Sequence, residues 1–259
     1  MQPDADFDLI GGAFEADVYG SSRGTVRLRV LWEDLRTAIP RLTHGGLSVL
    51  DAGAGAGRLA LEIARLGNHV VLVEPSRAML DQAQASARAA GLEAAITFVH
   101  APIQALPHAL TETFDVITCH AVLEWVAEPR AALSYLAPLL KPNGQLSLMF
   151  YNRNAALLKR VLAGEIRTAL RELHGAWEPR GWGAGCVPLA EEDVRTWLAE
   201  LGFVVRSKAG IRIFHDHVSP AARDREGLDH LLELELMCRQ REPFASLGQH
   251  IHLVCDRER

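Results

Sequence analysis

The sequence predicts an α/β fold in which helices cover both faces of a central, mostly parallel sheet. Apolar runs of strand length alternate with amphipathic stretches of helix length over residues 47–152, a rhythm typical of βαβ units. A turn with glycines at 53, 55 and 57 joins the first of these strands to the next helix. Because ligands bind at the carboxyl ends of parallel strands, this turn also indicates a binding site.

The individual elements follow from the apolar periodicity and from residues that cap or break helices. A helix is predicted over residues 26–39, with Pro40 at its end, because proline interrupts helices. Ser76 can cap the start of another helix and Gly91 can close it. The predicted strands cover 47–53, 69–76, 95–101, 114–122 and 144–152, and the predicted helices among them cover 57–67, 76–91 and 129–140.

The alternation stops at about residue 153. Residues 153–175 have a helical pattern and 176–188 form a loop rich in glycine, proline and tryptophan, so that 153–188 is predicted to be an insertion or lid. We expect a single domain over residues 1–259, with a ligand-binding core at 45–152 and a C-terminal part that completes the sheet at 189–259. In that last part, helices are predicted at 191–203 and 227–241, and strands at 203–208, 211–215 and 250–258.

Composition excludes several classes of protein. A net charge of -5 gives no global basic field for nucleic acid, so any such contact must be local. The four cysteines, at 119, 186, 238 and 255, form no C-x-x-C pair, and no metal site is predicted. Residues 1–10 lack a signal-peptide pattern, and no apolar run approaches the ~20 residues of a membrane helix. We therefore expect a cytoplasmic protein.

The glycine turn is compatible with two classes of cofactor, dinucleotides and S-adenosylmethionine. Arg58 stands where the third glycine of the dinucleotide pattern G-x-G-x-x-G would fall. Asp51, at the end of the first strand, would face an incoming pyrophosphate, and like charges repel in a partly desolvated cleft. An ammonium and a sulfonium suit this carboxylate better, so the turn favours S-adenosylmethionine over NAD.

Glu74 ends the second strand, where a carboxylate can accept hydrogen bonds from ribose hydroxyls. Either cofactor would use such a contact, so Glu74 supports an adenosine ligand without choosing between them. The plain alternative is a tight turn beside a solvated strand end. Glycine turn, acid and strand–helix context coincide here, and that coincidence favours a cofactor site.

Several motifs resemble known proteins. The segments "VLDAGAGAG" (49–57), "HAVLEWVAEP" (120–129) and "LKPNGQLSLMFYN" (140–152), together with Glu74, resemble the class I S-adenosylmethionine-dependent methyltransferases. Further segments resemble one branch, the family of tRNA 5-carboxymethoxyuridine methyltransferases, and they reach nearly from one end of the chain to the other. These segments are "VYGSSRGTVRLRVLWEDL" (18–35), "HAVLEWVAEPR" (120–130), "LSLMFYN" (146–152), "GIRIFHD" (210–216) and "LGQHIHL" (247–253).

The resemblance implies a Rossmann-like class I methyltransferase fold and a cofactor site, whereas the N-terminal helical cover and the inserted lid are predicted from the pattern along the chain, and residues 153–188 match the family less clearly. The residues that match the family's site, with Asp51 and Gly55 added from the turn, are Arg27, Asp51, Gly53, Ala54, Gly55, Glu74, Ile103, Gln104 and His120. Arg27 would bind the methionine carboxylate of the cofactor, and His120 would lie beside the methionine part. The plain alternatives are a solvated helix position for Arg27 and a structural, hydrogen-bonded histidine at 120.

The resemblance also implies a reaction, because this family methylates the carboxylate of a modified wobble uridine to give a methyl ester. A carboxylic acid titrates near ~4, so the acceptor is ionised at neutral pH and no general base is required. We therefore expect no catalytic acid or base. Candidates for holding the carboxylate and the base are Tyr19, Tyr151, Arg212 and His215.

The predicted partner is a tRNA that carries 5-carboxymethoxyuridine. Residues 153–180 contain six Lys or Arg and three Glu, a basic balance typical of local RNA contact but also of a solvated helix face. The nearest alternative is a methyltransferase for a small metabolite or quinone, with the same cofactor site and a different lid. An NAD-dependent oxidoreductase and a non-catalytic module with a methyltransferase fold are more distant alternatives.

Overall fold

The structure of the chain is a computed structural model, which describes residues 20–177 and 186–258. The strands are β1 Ser48–Ala52, β2 His69–Glu74, β3 Ile96–His100, β4 Phe114–His120, β5 Leu140–Tyr151, β6 Phe203–Ile211 and β7 His250–Arg257. The helices are α1 Ser22–Ala38, α2 Arg58–Arg65, α3 Arg77–Ala89, α4 Leu106–Ala109, α5 Pro129–Leu136, α6 Arg153–Leu162, α7 Ile166–Leu173, α8 Glu191–Glu200, α9 Pro220–Glu226 and α10 Leu228–Cys238.

The strands form a seven-stranded sheet in the order β3-β2-β1-β4-β5-β7-β6. Strands β1 to β5 pair in parallel, whereas β7 is antiparallel to both of its neighbours, β5 and β6. The mostly parallel sheet predicted from the sequence is confirmed. After β1 the chain builds β2 and β3 on one side and then returns to build β4 on the other. A crevice therefore opens between the carboxyl ends of β1 and β4, at the switch point where α/β sheets bind ligands.

Each face of the sheet has its own apolar core, because alternate residues of a strand point to opposite faces. Leu50, Leu148 and Leu253 are fully buried on the face covered by α4, α5 and α8. Val49 and Val254 lie on the opposite face, against α1, α2 and α3. Both cores exclude water, as the continuous apolar runs of the sequence predict for strands covered on both sides.

The sheet face that packs against α1, α2 and α3 changes from apolar to polar toward the carboxyl ends of the parallel strands, where α1 covers it. Fully or nearly buried polar residues replace the apolar ones at successive positions of this face: Asp51, Thr118, Ser147, His250 and His252. Strand pairing aligns several of them, with Asp51 opposite Thr118 and Thr118 opposite Ser147. Buried polar groups are unfavourable unless they are hydrogen-bonded, so this polar band marks a site.

Two elements differ from the expectations. The helix predicted over 153–175 is two helices, α6 and α7, because Gly164 between them has φ +78°. The strand predicted over 211–215 is absent from the described residues: β6 continues to Ile211, and Arg212 then has φ +65° and ends it. The carboxylate of Glu235 holds the turn that follows, accepting hydrogen bonds from three successive backbone N–H groups, at residues 213–215.

Candidate cofactor and acceptor site

A cavity lies in the crevice between β1 and β4, and the loops after β1, β2, β3 and β4 line it together with α1. It brings together every residue predicted from the sequence to bind a cofactor: Arg27, Asp51, Gly53, Ala54, Gly55, Glu74, Ile103, Gln104 and His120. Arg27 is 7% exposed, so it is not a solvated helix position.

In the part of the chain that the structure describes, no side chains form a metal-ion cluster and no helix is long and apolar enough to span a membrane.

The glycine turn is shaped first by the protein's own packing. Gly53 has φ +75°, and a Cβ atom there would lie 2.4 Å from Cγ2 of Val122. A Cβ on Gly57 would lie 2.9 Å from side-chain atoms of Leu72 and Ala83. These glycines therefore let the loop after β4 and helix α3 approach the turn, which leaves the backbone of the turn bare toward the cavity.

Glu74 is 3% exposed and ties this turn to the next strand. One carboxylate oxygen accepts a hydrogen bond from the Gly55 N–H at 2.8 Å, and the other accepts from the Ser76 N–H at 2.9 Å. Because each carboxylate oxygen has two lone pairs, a carboxylate at this position can accept from a backbone N–H and from a ligand hydroxyl at the same time. Its burial excludes the solvated strand end that was the plain alternative.

Asp51 is a buried acid with one unsatisfied oxygen. Oδ1 accepts a hydrogen bond from the Thr118 hydroxyl at 2.7 Å, while Oδ2 is buried with no partner among the described residues. Burial raises the pKa of Asp51 to about 6, helped by the charge of Glu74 and opposed by the Thr118 hydrogen bond. A cationic ligand group in the cavity would offset this penalty, whereas a pyrophosphate would add to it.

His120 ends β4, across the crevice from Asp51. Its Nε2 lies 2.8 Å from Oγ of Ser147, and its Nδ1 is buried without a partner among the described residues. Burial, with the neighbouring His252 ring and the charge of Arg27, holds the pKa of His120 well below its ordinary value. Two residues that line the cavity at adjacent strand ends thus each have one buried atom without a partner among the described residues, Asp51 Oδ2 and His120 Nδ1. The acidic Asp51 fits the ammonium of S-adenosylmethionine, and Glu74 fits its ribose.

Comparison with known proteins agrees with this geometry. A family model described as "Methyltransferase domain" matches residues 50–148. The tRNA 5-carboxymethoxyuridine methyltransferase of Escherichia coli K12 is 36% identical over 254 residues, which cover 97% of this chain and 95% of that protein. The chain belongs to this family and is a class I S-adenosylmethionine-dependent methyltransferase.

Other relatives share less of this methyltransferase. The ubiquinone biosynthesis O-methyltransferase of Hahella chejuensis is 36% identical over 129 residues, 49% of this chain and 50% of that one. The fold matches the crystal structure of magnesium protoporphyrin IX methyltransferase from Synechocystis PCC 6803 with bound S-adenosylmethionine. The two have a TM-score of 0.63 and 17% identity, covering 97% of this chain and 93% of that chain.

A second polar cluster adjoins the cavity at the same edge of the sheet. Tyr151 follows the cavity residue Met149 by two positions on β5, and its ring centroid lies 6.0 Å from that of His250 at the start of β7. Arg212 is 7% exposed and forms an ion pair with Asp216, but its Nε has no partner among the described residues. We refer to Tyr151, Arg212 and His250 as the cationic cluster, in which Arg212 is the charged member, because burial, with the charges of Arg27 and Arg212, holds the pKa of His250 well below its ordinary value.

The other predicted acceptor residues lie elsewhere. His215 is buried behind Arg212, with its Nδ1 3.1 Å from Oδ1 of Asp216 and its Nε2 3.0 Å from Oγ of Ser22. His215 thus contacts Asp216, the ion-pair partner of Arg212, and supports the position of that carboxylate. Tyr19 lies outside the described residues.

Sequence reasoning did not single out His250 and Glu124, two further buried groups of this region. His250 Nδ1 and Glu124 Oε2 both lack a partner among the described residues. Burial raises the pKa of Glu124 to about 7, against hydrogen bonds from backbone groups and the charge of Arg27. Both residues lie within segments that resemble the family, HAVLEWVAEP (120–129) and LGQHIHL (247–253). The signal that could have identified them is a polar residue at a position of its element that faces the protein interior.

Proposed function

We propose that this methyltransferase methylates the carboxylate of 5-carboxymethoxyuridine at the wobble position of tRNA, forming the methyl ester. The observation that carries the proposal is the similarity to the Escherichia coli tRNA methyltransferase over 97% of the chain. Three ubiquinone biosynthesis O-methyltransferases compared with the chain match 48–66% of it. Similarity to the tRNA enzyme thus extends beyond the cofactor core into the parts that carry the cationic cluster.

The cofactor would be held by the residues that line the cavity. Asp51 and His120 would take the ammonium, Arg27 the carboxylate, and Glu74 the ribose hydroxyls, while Ile103 and Gln104 after β3 would meet the adenine. The bare turn around Gly53 would let the ligand approach the backbone closely. S-adenosylmethionine supplies an electrophilic methyl group in this site.

The cationic cluster suits an anionic acceptor. Burial lowers the pKa of Arg212, and although Asp216 raises it, the nearby charges of Arg27 and Arg23 lower it further. Arg212 is therefore a desolvated cation whose Nε lacks a partner among the described residues, and a bound carboxylate would offset that penalty. A guanidinium edge binds a carboxylate with directed hydrogen bonds, and the Tyr151 ring beside it can stack on a base.

The chain's task in this reaction is positioning. An ionised carboxylate needs no proton removed, so neither Glu124 nor His250 has to act as a base in ester formation. Holding the carboxylate oxygen in line with the methyl group can lower a barrier by ~7–11 kcal/mol. We therefore assign no catalytic acid or base.

Helices α6 and α7 offer a surface for the tRNA. Lys159, Arg167 and Arg171 are exposed there, whereas Arg160 is engaged with Glu165 and Glu172. Exposed Val161 and Leu170 lie among the basic residues. Basic side chains that neutralise phosphates give affinity without sequence preference. Because the whole chain has a net charge of -5, RNA binding requires a local basic surface of this kind.

The test is nucleoside mass spectrometry after incubation of the protein with S-adenosylmethionine and tRNA bearing 5-carboxymethoxyuridine. We expect conversion to the methyl ester, and we expect none with tRNA that carries unmodified uridine at the wobble position. Absence of conversion by a protein that binds S-adenosylhomocysteine would contradict the tRNA proposal and leave the cofactor site intact. Turnover of a demethylated quinone precursor without RNA would favour the small-molecule alternative instead.

A further inference from the structure

A chain of buried hydrogen bonds connects the wall of the cofactor cavity to helix α1. His120 Nε2 lies 2.8 Å from Ser147 Oγ, which in turn lies 2.7 Å from His252 Nε2. His252 Nδ1 lies 2.7 Å from Asp34 Oδ2. Asp34, Ser147 and His252 are all 0% exposed. We refer to Asp34, His252 and Ser147 as the relay.

Charge balance decides where the first proton of the relay resides. A carboxylate only accepts hydrogen bonds, so His252 Nδ1 carries a hydrogen that it donates to Asp34. Arg239 forms an ion pair with the other oxygen of Asp34 at 3.2 Å, and the Gln240 amide donates to that oxygen at 2.7 Å. The charge of Asp34 is thus already balanced. With Asp34 paired to Arg239, a His252 ring with its single hydrogen on Nδ1 adds no uncompensated charge to this buried site.

The remaining hydrogens follow in sequence. Neutral His252 has a bare Nε2, which accepts the single hydroxyl hydrogen of Ser147. The Ser147 oxygen must then accept from His120, so the hydrogen of His120 resides on Nε2 and its Nδ1 has a bare lone pair. That Nδ1 is the buried atom with no partner among the described residues.

We propose that the relay holds His120 in the tautomer with hydrogen on Nε2, so that its Nδ1 accepts a hydrogen bond from the cofactor's ammonium group. Asp51 Oδ2, at the end of the adjacent strand, supplies a second acceptor for the same group. Asp34, His252 and Ser147 are then positioning residues, and none of them lines the cavity. The proposal rests on the cofactor site and is independent of the acceptor.

The direct test is nitrogen-15 NMR of the histidine rings at neutral pH, since protonated and bare ring nitrogens differ widely in chemical shift. The His120 signals would be assigned by their loss in His120→Gln. We expect Nε2 protonated and Nδ1 bare, with a change at Nδ1 when S-adenosylhomocysteine binds. A hydrogen on Nδ1, or no change there on binding, would overturn the proposal.

Variants test whether the relay acts on binding. Ser147→Ala removes the hydroxyl between the two histidines, and S-adenosylhomocysteine affinity measured by calorimetry should fall about tenfold, as expected for a hydrogen bond to a charged group. Ser147→Thr keeps the hydroxyl and should restore both the tautomer and the affinity.

Asn68→Ala is the matched structural control. Asn68 is equally buried, and its side chain donates to the carbonyls of Leu42 and Ile63, away from the cavity. It should lower thermal stability without weakening ligand binding. Equal affinities for Ser147→Ala and Asn68→Ala would contradict a positioning role. Because no RNA is present, failure here is distinct from failure of the tRNA reaction.

Discussion

At the scale of single residues, two features of the structure require glycine at position 53. Its φ of +75° and the 2.4 Å approach to Val122 both exclude a side chain. Gly46 is the matched control: its φ is +79°, but a Cβ there would have no atom of the described residues within 4 Å. We expect either glycine-to-alanine change to cost ~1–2 kcal/mol of stability through the backbone. Only Gly53→Ala should also lose S-adenosylhomocysteine binding, by tenfold or more in calorimetry; equal binding by the two variants would contradict this reading of the turn.

Asp51 should make cofactor binding depend on pH. Its pKa of about 6 in the free protein means that the carboxylate is ionised above pH 6 and protonated below it. An ammonium ligand prefers the ionised form, so affinity is full at pH 8 and should be about tenfold lower at pH 5. Calorimetry with S-adenosylhomocysteine across this range measures the effect. Asp51→Asn should bind more weakly at pH 8 and lose most of the decline, and an unchanged decline would assign it to another group.

Arg212 separates acceptor binding from cofactor binding. Arg212→Ala removes the guanidinium from the cationic cluster, and kcat/KM for the modified tRNA should fall about 10- to 100-fold, as for loss of a charge-assisted hydrogen bond. S-adenosylhomocysteine affinity should change by less than about twofold. Arg206→Ala, at an exposed position of β6, the strand that Arg212 follows, is the control. An equal fall in cofactor affinity would show that Arg212 serves the fold or the cofactor instead.

At the scale of elements, helices α6 and α7 should set the salt dependence of tRNA binding. Lys159 and Arg167 are exposed on these helices. Replacing both with Gln should lower the slope of log affinity against log salt by about 1.4 if each contacts one phosphate of a single-stranded region. Arg88→Gln, an exposed change at the far end of α3, should leave the slope unchanged. Equal slopes for all three proteins would place the RNA elsewhere.

Elements whose ends are marked locally agree well with the sequence expectations. Ser76 accepts from the Met79 N–H and begins α3, as its capping role predicts. The strand predicted over 211–215 was wrong because an apolar run cannot reveal that Glu235, which is 20 to 22 residues later in the chain, binds the backbone N–H groups there. The helix predicted over 153–175 was wrong as one continuous element because Gly164, at φ +78°, separates two helices within an amphipathic pattern that runs through both.

At the scale of the whole molecule, β7 joins the two parts of the sheet. It pairs with β5 on one side and β6 on the other, and Leu253 in its centre is 0% exposed. Leu253→Ala should cost ~2–5 kcal/mol of unfolding free energy in urea titrations, as other buried leucines do. Leu162→Ala, at 63% exposure on α6, should change stability by less than ~0.5 kcal/mol. Similar losses for the two would contradict the position of β7 in the core.

Local pattern was sufficient for the parallel core, the glycine turn and the acids at the ends of β1 and β2. Apolar periodicity reports burial within a single element, and a strand end next to a glycine turn is a local feature, so Asp51 and Glu74 could be found without coordinates. The sheet rules then place them in one crevice.

Only the tertiary structure brought Asp34 to His252, Ser147 and His120, since 218 residues separate the first pair in sequence. It also placed His250 beside Tyr151 and left one atom each of Asp51 and His120 buried without a partner among the described residues. The order of β5, β7 and β6 sets these neighbours. That order depends on packing between distant segments, which no local pattern of apolar and polar residues records.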